Sequence, residues 1–150
     1  MDKLIMTFHV SIDKTQCSEV QGPWGGAFFL PFTAEVASDL FTGTTLPGAA
    51  DIQTENHAHV RHMHAQYLFA GVDGEGKPCK LFVDNNGYMN PANRNDPFFE
   101  AQPRFLTDSE TLGRYLCQDR FRSEVHGTEA GVDILVFDVL AEEETNKADG

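Results

Sequence analysis

The chain has 150 residues, 41% of them apolar and 23% charged, which is enough for one core and too few for two ordinary domains. Asp and Glu number 23 against 11 Lys and Arg, and the formal net charge of −12 repels phosphate backbones and anionic bilayers. No apolar run approaches the roughly 20 residues of a membrane span, so nucleic-acid and membrane roles are set aside. No leader pattern opens the chain, and Cys17, Cys79 and Cys117 form no C-x-x-C pair. The expected location is the cytoplasm.

Residues 4–12 carry Leu4, Met6, Phe8, Val10 and Ile12 at every second position, the period of a strand with one buried face. Residues 17–26 hold Gly22-Pro23 and Gly25-Gly26 and read as a connection. Residues 27–36 read as a strand in which Pro31 marks an edge or a bulge. A short strand over 39–46 stops at Pro47-Gly48, and polar residues 51–58 read as a loop. Residues 59–72 give the longest strand. Met63, Ala65, Tyr67 and Phe69 share one face of it, and His62, His64, Gln66 and Leu68 the other.

Asp73-Gly74-Glu75-Gly76 is a hairpin signal, and a returning strand starts over 80–83. Residues 84–97, rich in Asn, Gly and Pro, read as a long loop. Residues 98–106 form a strand interrupted by Pro103. Thr107-Asp108-Ser109-Glu110 looks like a helix cap, with Leu112, Tyr115 and Leu116 following at helical spacing. Residues 121–126 and 132–140 are the last strands, the final one expected to be buried on both faces. Residues 141–150 read as a disordered acidic tail of net charge −3, leaving −9 on a domain of residues 1–140. The expected fold is mainly β: a single closed antiparallel barrel of about eight strands, with one short helix before the last strands. An interior of that size holds side chains or one small ligand.

The most unusual stretch, residues 57–67, holds four of the six histidines. His62 and His64 share a strand face, where two imidazoles can relay protons or bind a transition metal. This His-x-His resembles the metal motif of the cupins. Gln66 and Leu68 stand where that motif wants a carboxylate, and His126 or His9 would have to supply a distant ligand. A second polar set comprises Asp51 and Gln53, then Asp84, Asn85, Asn86 and Tyr88, then Arg104. An acid or an imidazole near an arginine or a tyrosine can move protons on a small molecule.

Several short segments follow one another along the chain: Leu46-Pro47-Gly48-Ala49-Ala50-Asp51, His64-Ala65-Gln66-Tyr67, Asn85-Asn86-Gly87 and Pro103-Arg104-Phe105. With them the chain resembles the family grouped as domain of unknown function 3237, small β-barrel proteins of bacteria and fungi. The resemblance spans residues 4–140 and implies a barrel in which these segments gather near one opening. Where that family's pattern has an Asp-Ala-Arg-Tyr strand, this chain has His64 and Gln66 in place of the acid and the arginine. Asp51 and Arg104 remain.

The function expected from these readings is a cofactor-independent acid–base enzyme of isomerase, cyclase or lyase type, acting on a small organic substrate in the barrel mouth. His64 would be the acid or base, oriented by Asp51, and Arg104 would hold a carboxylate or enolate oxygen. Gln53, His62, Gln66, Tyr67, Asn86 and Tyr88 would shape the pocket. Two alternatives stay open: a barrel that binds a small ligand without chemistry, and a metal-dependent barrel built on His62, His64 and a distant histidine. The expected partner is a small molecule, and pairing between copies is left open.

Overall fold

A computed structural model describes residues 2–92 and 98–141. Ten strands and one helix follow in chain order: β1 Lys3–Ile12, β2 Ser18–Gly22, β3 Gly25–Ala37, β4 Phe41–Thr45, β5 Ala50–Asn56, β6 Arg61–Asp73, β7 Pro78–Met89, β8 Phe98–Thr107, α1 Glu110–Leu116, β9 Phe121–Gly127 and β10 Gly131–Asp138. Every pairing is antiparallel, in the order β1-β10-β9-β8-β7-β6. Strand β6 then pairs with β5 through residues 61–66 and with β4 through 69–73, and both pair onward with β3. Residues 32–35 of β3 return to β1 and close the wall. Strands β4 and β5 thus form one interrupted stave, so eight staves make a closed barrel, with β2 as a flap on β3. Closure removes the open edges that a sheet of this length would otherwise expose.

Period-two alternation sends one face of each stave inward. Phe8, Phe41, Phe69, Leu81, Val83 and Val136 are fully buried, and each such side chain contributes about 1.5–3 kcal/mol on burial. Edge-to-face contacts link Tyr67 to Phe8, Phe32 and Phe69, with ring centroids 6.0, 5.1 and 5.5 Å apart.

The helix plugs one end of the barrel. Ser109 caps it by accepting from the Leu112 amide at 3.2 Å, and Leu112 and Leu116 point into the core. The Ser109 hydroxyl also donates to Asp73 at 2.7 Å, which ties the cap to the end of β6. Nearby, Asp138 is buried and accepts from Tyr115 and from Arg120 Nε, the latter at 2.9 Å.

Five local expectations need correction. Leu4 is exposed rather than inward, because a bulge between Leu4 and Met6 reverses the facing of the strand start. Residues 18–22 are a strand, not a connection. Residues 50–56 are also a strand: its inner positions are Asp51 and Gln53 and its outer one is Ile52, so hydropathy runs opposite to the usual rule. Strand β7 runs on through Asn85-Asn86-Gly87 to Met89 instead of turning at Asp84. Gly87 fits there because a Cβ would lie 2.9 Å from the Glu100 carbonyl oxygen. Strand β10 is fully buried on one face only, with Leu135 and Phe137 half-buried on the other. Pro31 falls where one edge of β3 changes partner from β2 to β1, so its missing N–H leaves no ladder bond unmade. Ala141 is buried. The rest of the expected tail, and residues 93–97 of the expected long loop, lie outside the described residues.

Candidate functional site

A cavity of about 210 Å³ occupies the end of the barrel opposite α1. The ends of β1, β3, β8, β9 and β10 supply apolar walls such as Ile12, Leu30, Phe32, Phe99, Val125 and Val132. Polar groups come from two staves that flank β6: Asp51 and Gln53 on β5, and Asn85 on β7. Among the described residues the lining contains no Lys, Arg or His.

Asp51 is the one ionisable residue among the described lining of this cavity. Its Oδ2 accepts from Gln53 Nε2 at 2.7 Å, while its Oδ1 is enclosed and has no hydrogen-bond partner. Burial pushes the carboxyl above the usual carboxylate range, and the Gln53 bond, a backbone hydrogen bond from His64 and the charges of His64 and His62 only partly offset this. Gln53 in turn accepts from Arg61 Nη1 at 3.1 Å. Arg61 sits at the rim over the Phe28 ring, with its Nε 3.2 Å from Glu55. A polar chain therefore runs from a neutralised arginine at the mouth to one oxygen of the carboxylate, and fixes the direction of the other.

Tyr67 lies on the same inner face of β6 as Ala65, the cross-strand partner of Asp51. It is fully enclosed beside Phe32, and its hydroxyl also lacks a partner. Burial, with the Asp51 charge adding to it, pushes the phenol far above its ordinary value, so it stays a neutral donor. Across the cavity, Ser123 Oγ donates to Asn85 Oδ1 at 2.9 Å. Two enclosed oxygens without partners inside one barrel are costly, because each forfeits hydration worth about 1–3 kcal/mol.

Asp51, Gln53 and Tyr67 are thus brought together inside. His62, His64, Gln66, Asn86, Tyr88 and Arg104 are not: they lie on the outer surface of the wall. The reason is parity. Met63, Ala65, Tyr67 and Phe69 fill the interior, so the alternate residues of β6 must face out. The outer residues form a wired row. His64 Nε2 lies 3.0 Å from Asp84 Oδ2, which also accepts from Gln66 at 2.9 Å, and Asn86 donates to the other Asp84 oxygen. His62 Nε2 lies 3.0 Å from Asn86 Oδ1, and its ring stacks on Tyr88 at 4.6 Å.

Hydrogen bonds from His64 and its neighbours outweigh the burial of Asp84 and hold it below the usual carboxylate range. The expected pairing of Asp51 with His64 as orienter and base is therefore separated by the sheet itself. Arg104 is exposed on β8, beside Asp84 and the Leu106 side of an outer groove, and does not reach the cavity. His9 and His126 stand elsewhere on the outer wall, bonded to Asp133 and Glu124. Among the described residues no three His, Cys, Asp or Glu side chains converge as metal ligands.

Sequence reasoning missed Ser123 and Arg61, and it placed Asn86 rather than its neighbour Asn85 in the pocket. Asn85 was legible: it shares parity with Leu81 and Val83, whereas Asn86 does not.

The comparisons bear on the fold. No family model matches the chain, and no curated protein matches it. Similar solved structures exist. One is a protein with unknown function from Clostridium acetobutylicum ATCC 824, at TM-score 0.73 and 18% identity, covering 92% of this chain and 95% of that one. A conserved protein of unknown function from Rhodopseudomonas palustris matches at TM-score 0.72 and 23% identity, covering 92% and 96%. A beta-barrel like protein from Acinetobacter baumannii AYE matches at TM-score 0.71 and 15% identity, covering 92% and 94%. The barrel is thus shared almost end to end with other proteins, at identities that carry the fold alone.

Proposed function

We propose that the barrel is a small-molecule enzyme that transfers protons without a cofactor, as an isomerase or lyase does, with Asp51 as the acid–base group. The observation that carries this reading is the enclosed, unpartnered Oδ1 of Asp51 in a cavity whose walls are otherwise almost entirely apolar. A carboxyl raised by burial exchanges its proton nearer to neutral pH than a solvated one, which is what a general acid or base requires. Gln53 holds Oδ2, so Oδ1, enclosed and without a protein partner, is the oxygen left for a bound molecule. A substrate C–H would give its proton to Oδ1, and Oδ1 would return a proton, exchangeable with solvent, at the same or another carbon. No electrons are gained or lost in such a step. The Tyr67 hydroxyl, a neutral donor, and the Asn85 amide would hydrogen-bond the oxygen on which charge develops.

The resemblance to domain of unknown function 3237 points to the same Asp51, and the free thiols of Cys17, Cys79 and Cys117 fit a reducing cytoplasm. The test is deuterium exchange at the carbons beside the carbonyl of 4-methylcyclohexanone, followed by proton NMR with the full chain in D2O. The wild type should accelerate exchange, and Asp51→Asn should lose at least about 100-fold of that acceleration. Binding of the ketone without any acceleration would replace the enzyme by a ligand-binding barrel.

A further inference from the structure

We infer that the cavity takes an uncharged, ring-sized carbon compound bearing a single carbonyl or hydroxyl oxygen, and rejects anionic substrates. The inference rests on the cavity being the functional site, as proposed above, and adds the class of molecule it accepts.

Size comes first. A cavity of roughly 150 Å³ holds a benzene ring, so about 210 Å³ suits a molecule of roughly eight to ten non-hydrogen atoms. Charge is the second constraint. The lining contributes one acid, Asp51, and no described cation. Arg61 is the cationic group at the rim, and it is committed to Glu55 and to Gln53 Oε1. A substrate carboxylate would enter a low-dielectric space next to a second carboxyl with nothing to pair it, and such a desolvated charge is strongly disfavoured. This reverses the expectation that Arg104 anchors an acidic group, since Arg104 lies on the other side of the wall.

Polarity is the third constraint. The polar groups of the lining are Asp51 and Gln53 on β5 and Asn85 on β7, and Asp51 Oδ1 has no protein partner. One ligand hydroxyl donating to the Asp51 carboxylate, or one carbonyl oxygen accepting from its protonated form, would pair with the oxygen that the fold leaves unpartnered. The remaining walls, including Leu30, Phe32, Phe99 and Val132, offer only apolar contact to the rest of the molecule.

The test uses the full chain and three matched probes at pH 7.5: 4-methylcyclohexanone, 4-oxocyclohexanecarboxylate and toluene, each titrated by calorimetry and by ligand-detected NMR. The ketone should bind, the carboxylate should bind at least tenfold more weakly, and toluene should fall between them or below. Ala101→Leu and Val132→Phe fill the cavity from two different staves, β8 and β10, and should each weaken ketone binding at least tenfold. Two variants are used so that a folding defect in one does not decide the matter.

A carboxylate that binds as well as the ketone overturns the charge class. Toluene binding as well as the ketone overturns the role of the oxygen. Ketone binding that neither filling variant affects, or no binding of any probe, overturns the inference as a whole. The deuterium-exchange assay is read separately. Selective ketone binding with no exchange leaves the ligand class standing and removes the enzyme. Exchange that is equally fast on the carboxylate keeps the enzyme and removes the ligand class.

Discussion

Tyr67→Phe is the substitution that separates a hydroxyl kept for a ligand from one kept for the fold. The ring makes edge-to-face contacts with Phe8, Phe32 and Phe69, and all three survive the change. What is lost is an enclosed hydroxyl with no protein partner. Burying such a group unpaired costs about 1–3 kcal/mol, so removing it should stabilise the barrel by about 1 kcal/mol. For a chain of this length that corresponds to a rise in Tm of about 3 °C. Tyr115→Phe is the internal contrast. Tyr115 donates to the buried Asp138 carboxylate, and losing a hydrogen bond to a charged group should cost about 1.5–3 kcal/mol. Differential scanning calorimetry at pH 7.5 without ligand reads both variants. The reasoning is refuted by a Tyr67→Phe variant that melts several degrees below the wild type, as Tyr115→Phe should. Such a result would mean that the Tyr67 hydroxyl has a structural partner.

Asp51→Asn should raise Tm at pH 8 and leave it unchanged at pH 3. The folded-state carboxyl is raised above its unfolded value, so its ionisation costs stability as pH climbs from the unfolded value through the folded one, and melting curves across pH 3–8 show whether the gap opens. Asp138→Asn should do the reverse. Burial raises that carboxyl, but bonds from Tyr115 and Arg120 more than offset it, so its contribution is complete above the unfolded value and fades as pH falls through the lowered one. Breaking this buried pair should cost about 3–5 kcal/mol at neutral pH, measured by urea unfolding. His64→Ala removes a half-exposed outer ring, and should change stability by no more than about 0.5 kcal/mol and ketone affinity by less than twofold.

The barrel was legible because most staves obey period two. Met6, Phe8 and Val10 announce β1, and the split between Met63, Ala65, Tyr67 and Phe69 and their neighbours announces both faces of β6. The candidate site was only half legible, for two physical reasons. A stave that lines a polar cavity puts Asp51 and Gln53 inward and Ile52 outward, so a hydropathy rule tuned to dry cores reads it as a loop. The histidines also drew attention by their density rather than by their facing. The two faces of β6 separate cleanly in the sequence, but the period alone does not say which of them the closed wall turns inward. The apolar face had to win, and that alone puts His62, His64 and Gln66 outside. Asn85-Asn86-Gly87 misled in the same way. It carries turn-forming residues, but two neighbouring staves hold it extended, at Asn85↔Ala65 and Asn85↔Pro103.

The measurement closest to the central claim is a carbon-13 NMR titration of the Asp51 carboxyl and the His64 imidazole, without and with 4-methylcyclohexanone. The account predicts an Asp51 midpoint above the roughly 3.9 of a free aspartate. It also predicts an Asp51 resonance that moves on ketone binding while His64 stays still. An Asp51 midpoint at or below the free value, with the ketone shifting His64 instead, would move the site to the outer wall and contradict the account.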